Sequence, residues 1–120
     1  MIAGFLLDEQ LPGWWRREII VHASELKVWR VGDPNAPPLE SSDGLLLEWC
    51  ELHDALLLTN NRRSMPGHVR DHIAAGRHMP GILTVEPDMR IEELIEGMLL
   101  IRGASLENEF QDQIRYFPRL

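Results

Sequence analysis

The amino-acid sequence predicts an α/β fold in three layers, a central, mainly parallel β-sheet flanked by helices. Short apolar runs alternate along the chain with segments of helical period, the pattern of βαβ units. Three of the four runs are almost continuously apolar, as strands covered by helices on both faces must be. With 120 residues, 44% of them apolar and 26% charged, the chain is long enough for one packed core and too short for two.

Taken in order, Ala3 to Leu7 reads as a strand, and the region around Trp14 and Trp15 as helical. Leu26 to Val31 is the second strand; Lys27-Val28-Trp29-Arg30-Val31 alternates, which places it near a sheet edge. Gly32 to Pro38 holds three prolines, which stiffen a loop. Asp43 to His53 is a helix with Leu46, Trp49, Cys50 and His53 on one stripe, and Ala55 to Thr59 is the third strand. Ser64 and Pro66 open a helix over His68 to Ala75 that ends at Gly76, and Gly81 to Val85 is the fourth strand. Ile91, Leu94, Ile95, Met98 and Leu99 follow the i, i+3, i+4, i+7, i+8 rule of an amphipathic helix. Asp88 reads as its N-cap and Gly103 as its C′ residue. Residues 1–103 therefore form the domain. Residues 104–120 read as a C-terminal tail, with Phe110, Ile114 and Phe117 either on a helical stripe or in an extended segment docked on a neighbour.

Several function classes are excluded. The chain has 19 Asp and Glu against 12 Lys and Arg, a formal charge of -7, so its surface as a whole does not coat nucleic acid through phosphate neutralisation. No stretch approaches the roughly 18 apolar residues of a membrane helix. Cys50 is the only cysteine, which leaves no internal disulfide and no cysteine zinc site. The apolar run at the N-terminus is too short for a signal segment and lacks a basic start, so the expected address is the cytoplasm. A GxSxG elbow, a P-loop and a GxGxxG turn are all absent.

Ligands of open α/β sheets bind beyond the carboxyl ends of the strands. Asp8 and Glu9 follow the first strand, Asn60 and Asn61 the third, and Asp43 opens the helix between the second and third strands. Asp8, Asp43 and Asn61 are thus expected at one rim. Carboxylates gathered there repel each other unless a proton or a divalent cation compensates, and Mg²⁺ or Mn²⁺ selects such oxygen-rich sites. The same residues have plainer readings: Asp8 as a turn residue, Asp43 as a helix-capping acid, and Asn60 and Asn61 as an Asx turn.

Leu6-Leu7-Asp8-Glu9-Gln10-Leu11-Pro12, Ser42-Asp43-Gly44-Leu45-Leu46 and Leu57-Leu58-Thr59-Asn60-Asn61 together resemble the PIN-like family of small nucleases, which shows LLDENLP, an SDEEIL-type helix start and VLVTxDxDF. The resemblance covers roughly residues 3 to 101. It implies a metal-dependent nuclease, some members of the family being suspected toxins of toxin–antitoxin pairs, with Mg²⁺ or Mn²⁺ on Asp8 and Asp43; RNA is the expected substrate. Asn61 would stand as a neutral third ligand where the family has an acid. Arg63 and Ser64 also depart from the family, standing where a second Asp and the Phe follow. One lost ligand charge at about 4 Å is worth up to roughly 4 kcal/mol at an effective dielectric near 20. The depleted acid set opens the alternative of a catalytically degenerate PIN-like module that binds RNA or a protein.

Between Asn60 and Pro80 stand Arg62, Arg63, Arg70 and Arg77, with His68, His72 and His78, against Asp71 alone. This reads as a basic island at the same rim. Arg62, Arg63, Ser64 and His68 are the expected contacts to the phosphates of single-stranded RNA, helped by N–H donors of the helix that opens near Ser64. Expected partners are RNA, an antitoxin, or a second copy held through the tail. A solvated face explains the arginines equally, and an exposed polar face explains His68 and His72 better than a two-His metal pair does.

Overall fold

The computed structural model describes residues 2–104 and 106–117. Its elements run β1 (Gly4–Leu7), α1 (Trp15–His22), β2 (Val28–Arg30), α2 (Asp43–His53), β3 (Ala55–Thr59), α3 (Met65–Ala74), β4 (Ile82–Thr84), α4 (Ile91–Ala104) and β5 (Ile114–Tyr116). The five strands form one sheet in the order β2-β1-β3-β4-β5, with every neighbouring pair parallel. No helix among the described residues is long and apolar enough to cross a membrane.

Burial follows the period of two along the strands. Phe5, Leu7, Leu56, Leu58 and Leu83 face α1 and α4, while Leu6, Leu57 and Ile82 face α2 and α3. Because both faces are covered, β1, β3 and β4 are buried along their whole length, which is why their sequences do not alternate. The alternating strand β2 lies at an edge, as its pattern predicts. Trp29 and Trp49 meet edge to face at 5.0 Å, and His53 stacks on Trp49 at 3.9 Å, so these aromatics seal the outer side of α2 against β2.

The chain crosses from β1 to β2 over the α1 face, then returns over the α2–α3 face through β3 to β4. These three crossovers share one hand. The fourth continues in the same direction but passes over the α1 face, with α4 packed against α1. It therefore has the opposite hand, the left-handed one if the other three obey the usual right-handed rule.

Helix α4 begins at Ile91, so Asp88, expected as its N-cap, lies before the cap position. Two larger features also differ from the sequence expectation. Residues 106–117 are not an appendage: Ile114, Arg115 and Tyr116 pair with Ile82, Leu83 and Thr84 as the edge strand β5. The physical reason lies in two glycines far away in sequence. Gly81, at φ +144°, leaves room for the Phe110 backbone and Cβ, and Gly97 on α4 lies beneath the ring of Phe117. Phe110 and Phe117 are accordingly buried in the chain's own core. Asp112 fastens the segment: its carboxylate accepts from the Met79 N–H at 2.9 Å and bonds His78 Nδ1 at 2.6 Å. Burial alone would raise the Asp112 pKa, but these bonds and the His78 charge outweigh it and hold the carboxyl below its ordinary value. Ser105 and residues 118–120 of the expected tail lie outside the described residues.

Gly103 is the second difference. It lies inside α4, without a positive φ and with nothing near a Cβ placed on it, so it does not terminate the helix.

Gly81→Ala and Gly103→Ala separate these roles. The first should cost about 3 kcal/mol through strain and overpacking against Phe110. The second should gain about 1 kcal/mol of helix propensity. Urea denaturation of both variants checks this, and a destabilised Gly103→Ala would return Gly103 to the helix terminus.

Candidate functional site at the β1/β3 switch point

Crossovers leave β1 and β3 in opposite directions across the sheet, so a crevice opens beyond their carboxyl ends, the usual ligand position of doubly wound sheets. Asp8, Glu9, Asp43, Asn60 and Asn61 line an open cleft of about 330 Å³ there.

Asp8 is placed by the sheet itself. Its N–H donates to the Leu58 carbonyl at 3.0 Å, extending the β1–β3 ladder by one step. The side chain is only 6% exposed. One carboxylate oxygen accepts from the Thr59 hydroxyl at 2.7 Å and the other from the Glu9 N–H at 2.8 Å. Burial pushes the Asp8 pKa up; these two bonds oppose the rise, and the charges of Asp43 and Glu9 add to it.

Asp43 arrives on the first turn of α2. The N-cap is Ser42, whose hydroxyl accepts from the Leu45 N–H at 3.2 Å, so the Asp43 carboxylate is not spent on capping. One of its oxygens accepts from Asn61 Nδ2 at 3.2 Å and Ser64 Oγ at 3.0 Å, with His68 Nε2 at 3.5 Å.

Asn61 sits between the acids and α3. Its amide nitrogen donates to Asp43 and to Ser64 Oγ, and its carbonyl oxygen accepts from the N–H groups of Arg63 and Ser64 at 3.3 and 3.2 Å. Asn61 is thus both the Asx turn that sequence reasoning weighed and a partner of Asp43. Its carbonyl fixes the turn that leads into α3, and Ser64, at the N-cap position, turns its hydroxyl to Asp43 instead of capping the helix. The Arg63 and Ser64 N–H groups, just before α3, are thus taken up by the Asn61 carbonyl.

Thr59 is the site residue that sequence reasoning missed. It is fully buried, donates to Asp8, and accepts from the Asn61 N–H at 3.1 Å. The available signal was a hydroxyl at the end of an otherwise apolar buried strand. Glu9 plays a supporting part: its carboxylate accepts from the Glu40 N–H at 2.8 Å and pins the proline-rich loop to the rim.

The basic island does not survive folding as one patch. Arg77 pairs with Glu48 and Glu51 on α2, His78 with Asp112, and the buried His72 with Glu51. Helix α3 is ten residues, about 15 Å, long, and it carries these groups to the far end of the sheet. Of the expected phosphate contacts, Ser64 and His68 face Asp43. Arg63 is exposed beside them without an ion pair among the described residues. Arg62 turns away to pair with Glu86 over the Tyr116 ring. Cys50, fully buried with its thiol pKa pushed up by burial and by the Asp8 charge, is a core residue.

Among the described residues no three His, Cys, Asp or Glu side chains converge as a metal cage. Asp8 and Asp43 are two carboxylates that line the cleft, beside Glu9, Ser41, Asn60 and Asn61. That donor set suits Mg²⁺ or Mn²⁺, which take one or two carboxylates and complete their shell with water and phosphate oxygens. The chain matches no protein-family model, no curated protein and no solved structure.

Proposed function

We propose that the β1/β3 cleft hydrolyses phosphodiester bonds with Mg²⁺ or Mn²⁺ held by Asp8 and Asp43, as the PIN-like resemblance implies, and that its substrate is single-stranded RNA in the cytoplasm. The observation that carries the reading is the state of Asp8. It is a buried carboxylate next to a second acid, and its hydrogen-bond partners are neutral. A divalent cation between the two acids removes both the burial cost and the repulsion. When bound, the cation supplies an activated water and neutralises charge on the phosphate. The chain's own residues do the rest. Thr59 fixes the Asp8 carboxylate, Asn61 and Ser64 fix that of Asp43, and Arg63 stands exposed at the rim to meet a phosphate. A toxin-type role with an antitoxin partner belongs to the same resemblance.

One observation favours a second reading, a degenerate PIN-like module that binds RNA or protein without cutting. Asn61 and Ser64 already supply donors to Asp43, in place of the charge a cation would bring.

Cleavage of an end-labelled single-stranded RNA in Mn²⁺ separates the two. The wild-type chain should cut slowly, Asp8→Asn should abolish cutting, and Asn61→Asp should raise it about tenfold or more. An Asn61→Asp variant no faster than wild type contradicts the cation reading. RNA retention unchanged by EDTA, with no cutting, supports the binding module.

Stability offers an independent check. The folded state holds the Asp8 proton to higher pH than the unfolded chain does. The stability this lends is complete below the ordinary carboxylate range and lost as pH rises through the raised folded pKa. Asp8→Asn should therefore melt higher than wild type at neutral pH without added metal, and its melting should lack that fall. A variant that melts several degrees lower would show Asp8 to be a structural acid.

A further inference from the structure

A second cavity, of about 400 Å³, opens at the same end of the sheet beyond β4 and β5, and the phosphodiester chemistry does not use it. Its volume falls in the range of small-ligand pockets, about 300 to 1,000 Å³. Thr84, Val85 and Phe117 supply its buried part, and Arg62, Glu93 and Tyr116 also line it.

Tyr116, at the end of the edge strand β5, is 72% exposed, and the Arg62 guanidinium lies over its ring at 5.4 Å. Such a flat aromatic and guanidinium pair is a stacking platform for a nucleobase. Three carboxylates, Glu86, Asp88 and Glu93, line the cavity against two guanidiniums, Arg62 and Arg90, each already paired with a glutamate, so the base rather than the phosphate of a nucleotide suits it. Glu86 is occupied by Arg62. Glu93, half-buried on the first turn of α4, has no ion pair among the described residues. An ionised carboxylate only accepts hydrogen bonds. Guanine alone among the four RNA bases offers it two parallel donors, N1–H and N2–H, on the Watson–Crick edge.

Asn61 lines the acidic cleft and its neighbour Arg62 lines this one. Two strand spacings, about 10 Å, separate the β1/β3 and β4/β5 junctions, a distance that adjoining nucleotides span. We infer that the Arg62–Glu93–Tyr116 cavity is a guanine subsite for the nucleotide next to the phosphate bound at Asp8 and Asp43. The inference rests on the RNA reading of that cleft for its place in a strand.

Calorimetric titration of the full chain with 5′-GMP, AMP, CMP and UMP tests it, in EDTA so that no cleavage intervenes. GMP should bind about tenfold tighter than the other three. Glu93→Gln should abolish that preference, and Tyr116→Ala should weaken GMP binding about tenfold. Single-stranded trinucleotides with one guanine, titrated in Ca²⁺ so that a cation can sit between the two acids, then identify the source: tighter binding than GMP marks an RNA strand, equal binding a free guanine nucleotide, and both outcomes keep the subsite. Equal affinity for all four nucleotides, no binding of any, or a preference retained by Glu93→Gln would overturn it. Because the mononucleotide titration needs no metal and no turnover, a failure of the hydrolytic reading shows separately, in the cleavage assay.

Discussion

The parallel pairing of β1 with β3 is the constraint on which the rest of the structure depends. Both strands are buried on both faces, so their register is fixed by packing against two helical layers. With Leu7 opposite Leu58, the next residues are Asp8 and Thr59, and the ladder bond from Asp8 N–H to Leu58 carries that order past the end of β1. The buried hydrogen bond between Asp8 and Thr59 follows directly. Helix α2 returns toward β3 on the opposite layer, and its first turn delivers Asp43 to the same crevice. A slip of one residue in this register would turn Thr59 and Leu58 to the wrong faces and dissolve the site together with the core.

Electrostatically, the crevice is unevenly compensated. Asp43 has an amide, a hydroxyl and an imidazole around one oxygen, whereas Asp8 has two neutral donors and no cationic side chain. An arrangement that serves folding alone would favour an uncharged side chain at the buried position. Asn61 tempers the picture, because its carboxamide ties Asp43 to the start of α3 at both ends. A carboxylate at position 61 could not donate to Asp43 as this amide does, and the two would repel. The Asn therefore supplies donors that hold Asp43 and the start of α3 together, where a carboxylate would supply none.

Local patterns made most of the sheet legible in the sequence. Continuous apolar runs marked β1, β3 and β4, alternation marked the edge strand β2, and the heptad-like stripe from Ile91 marked α4. The convergence of Asp8, Asp43 and Asn61 followed from two strand ends and the start of the helix between the second and third strands. What stayed hidden depends on distant partners. Phe110, Ile114 and Phe117 fit a helical stripe equally well, and only their seats on Gly81 and Gly97 make the segment a strand. The arginines and histidines after Asn60 looked like one patch because a sequence window ignores helix length; α3 separates them and α2 neutralises Arg77. Gly103 resembled a terminator, yet no φ constraint requires a glycine there.

Binding of Mn²⁺ to the purified chain, followed by the loss of its free-ion electron paramagnetic resonance signal, tests the central claim most directly. One saturable site per chain is expected, which competes with Mg²⁺ and vanishes in Asp8→Asn and in Asp43→Asn. Binding that is absent, or that persists unchanged in both variants, would contradict it.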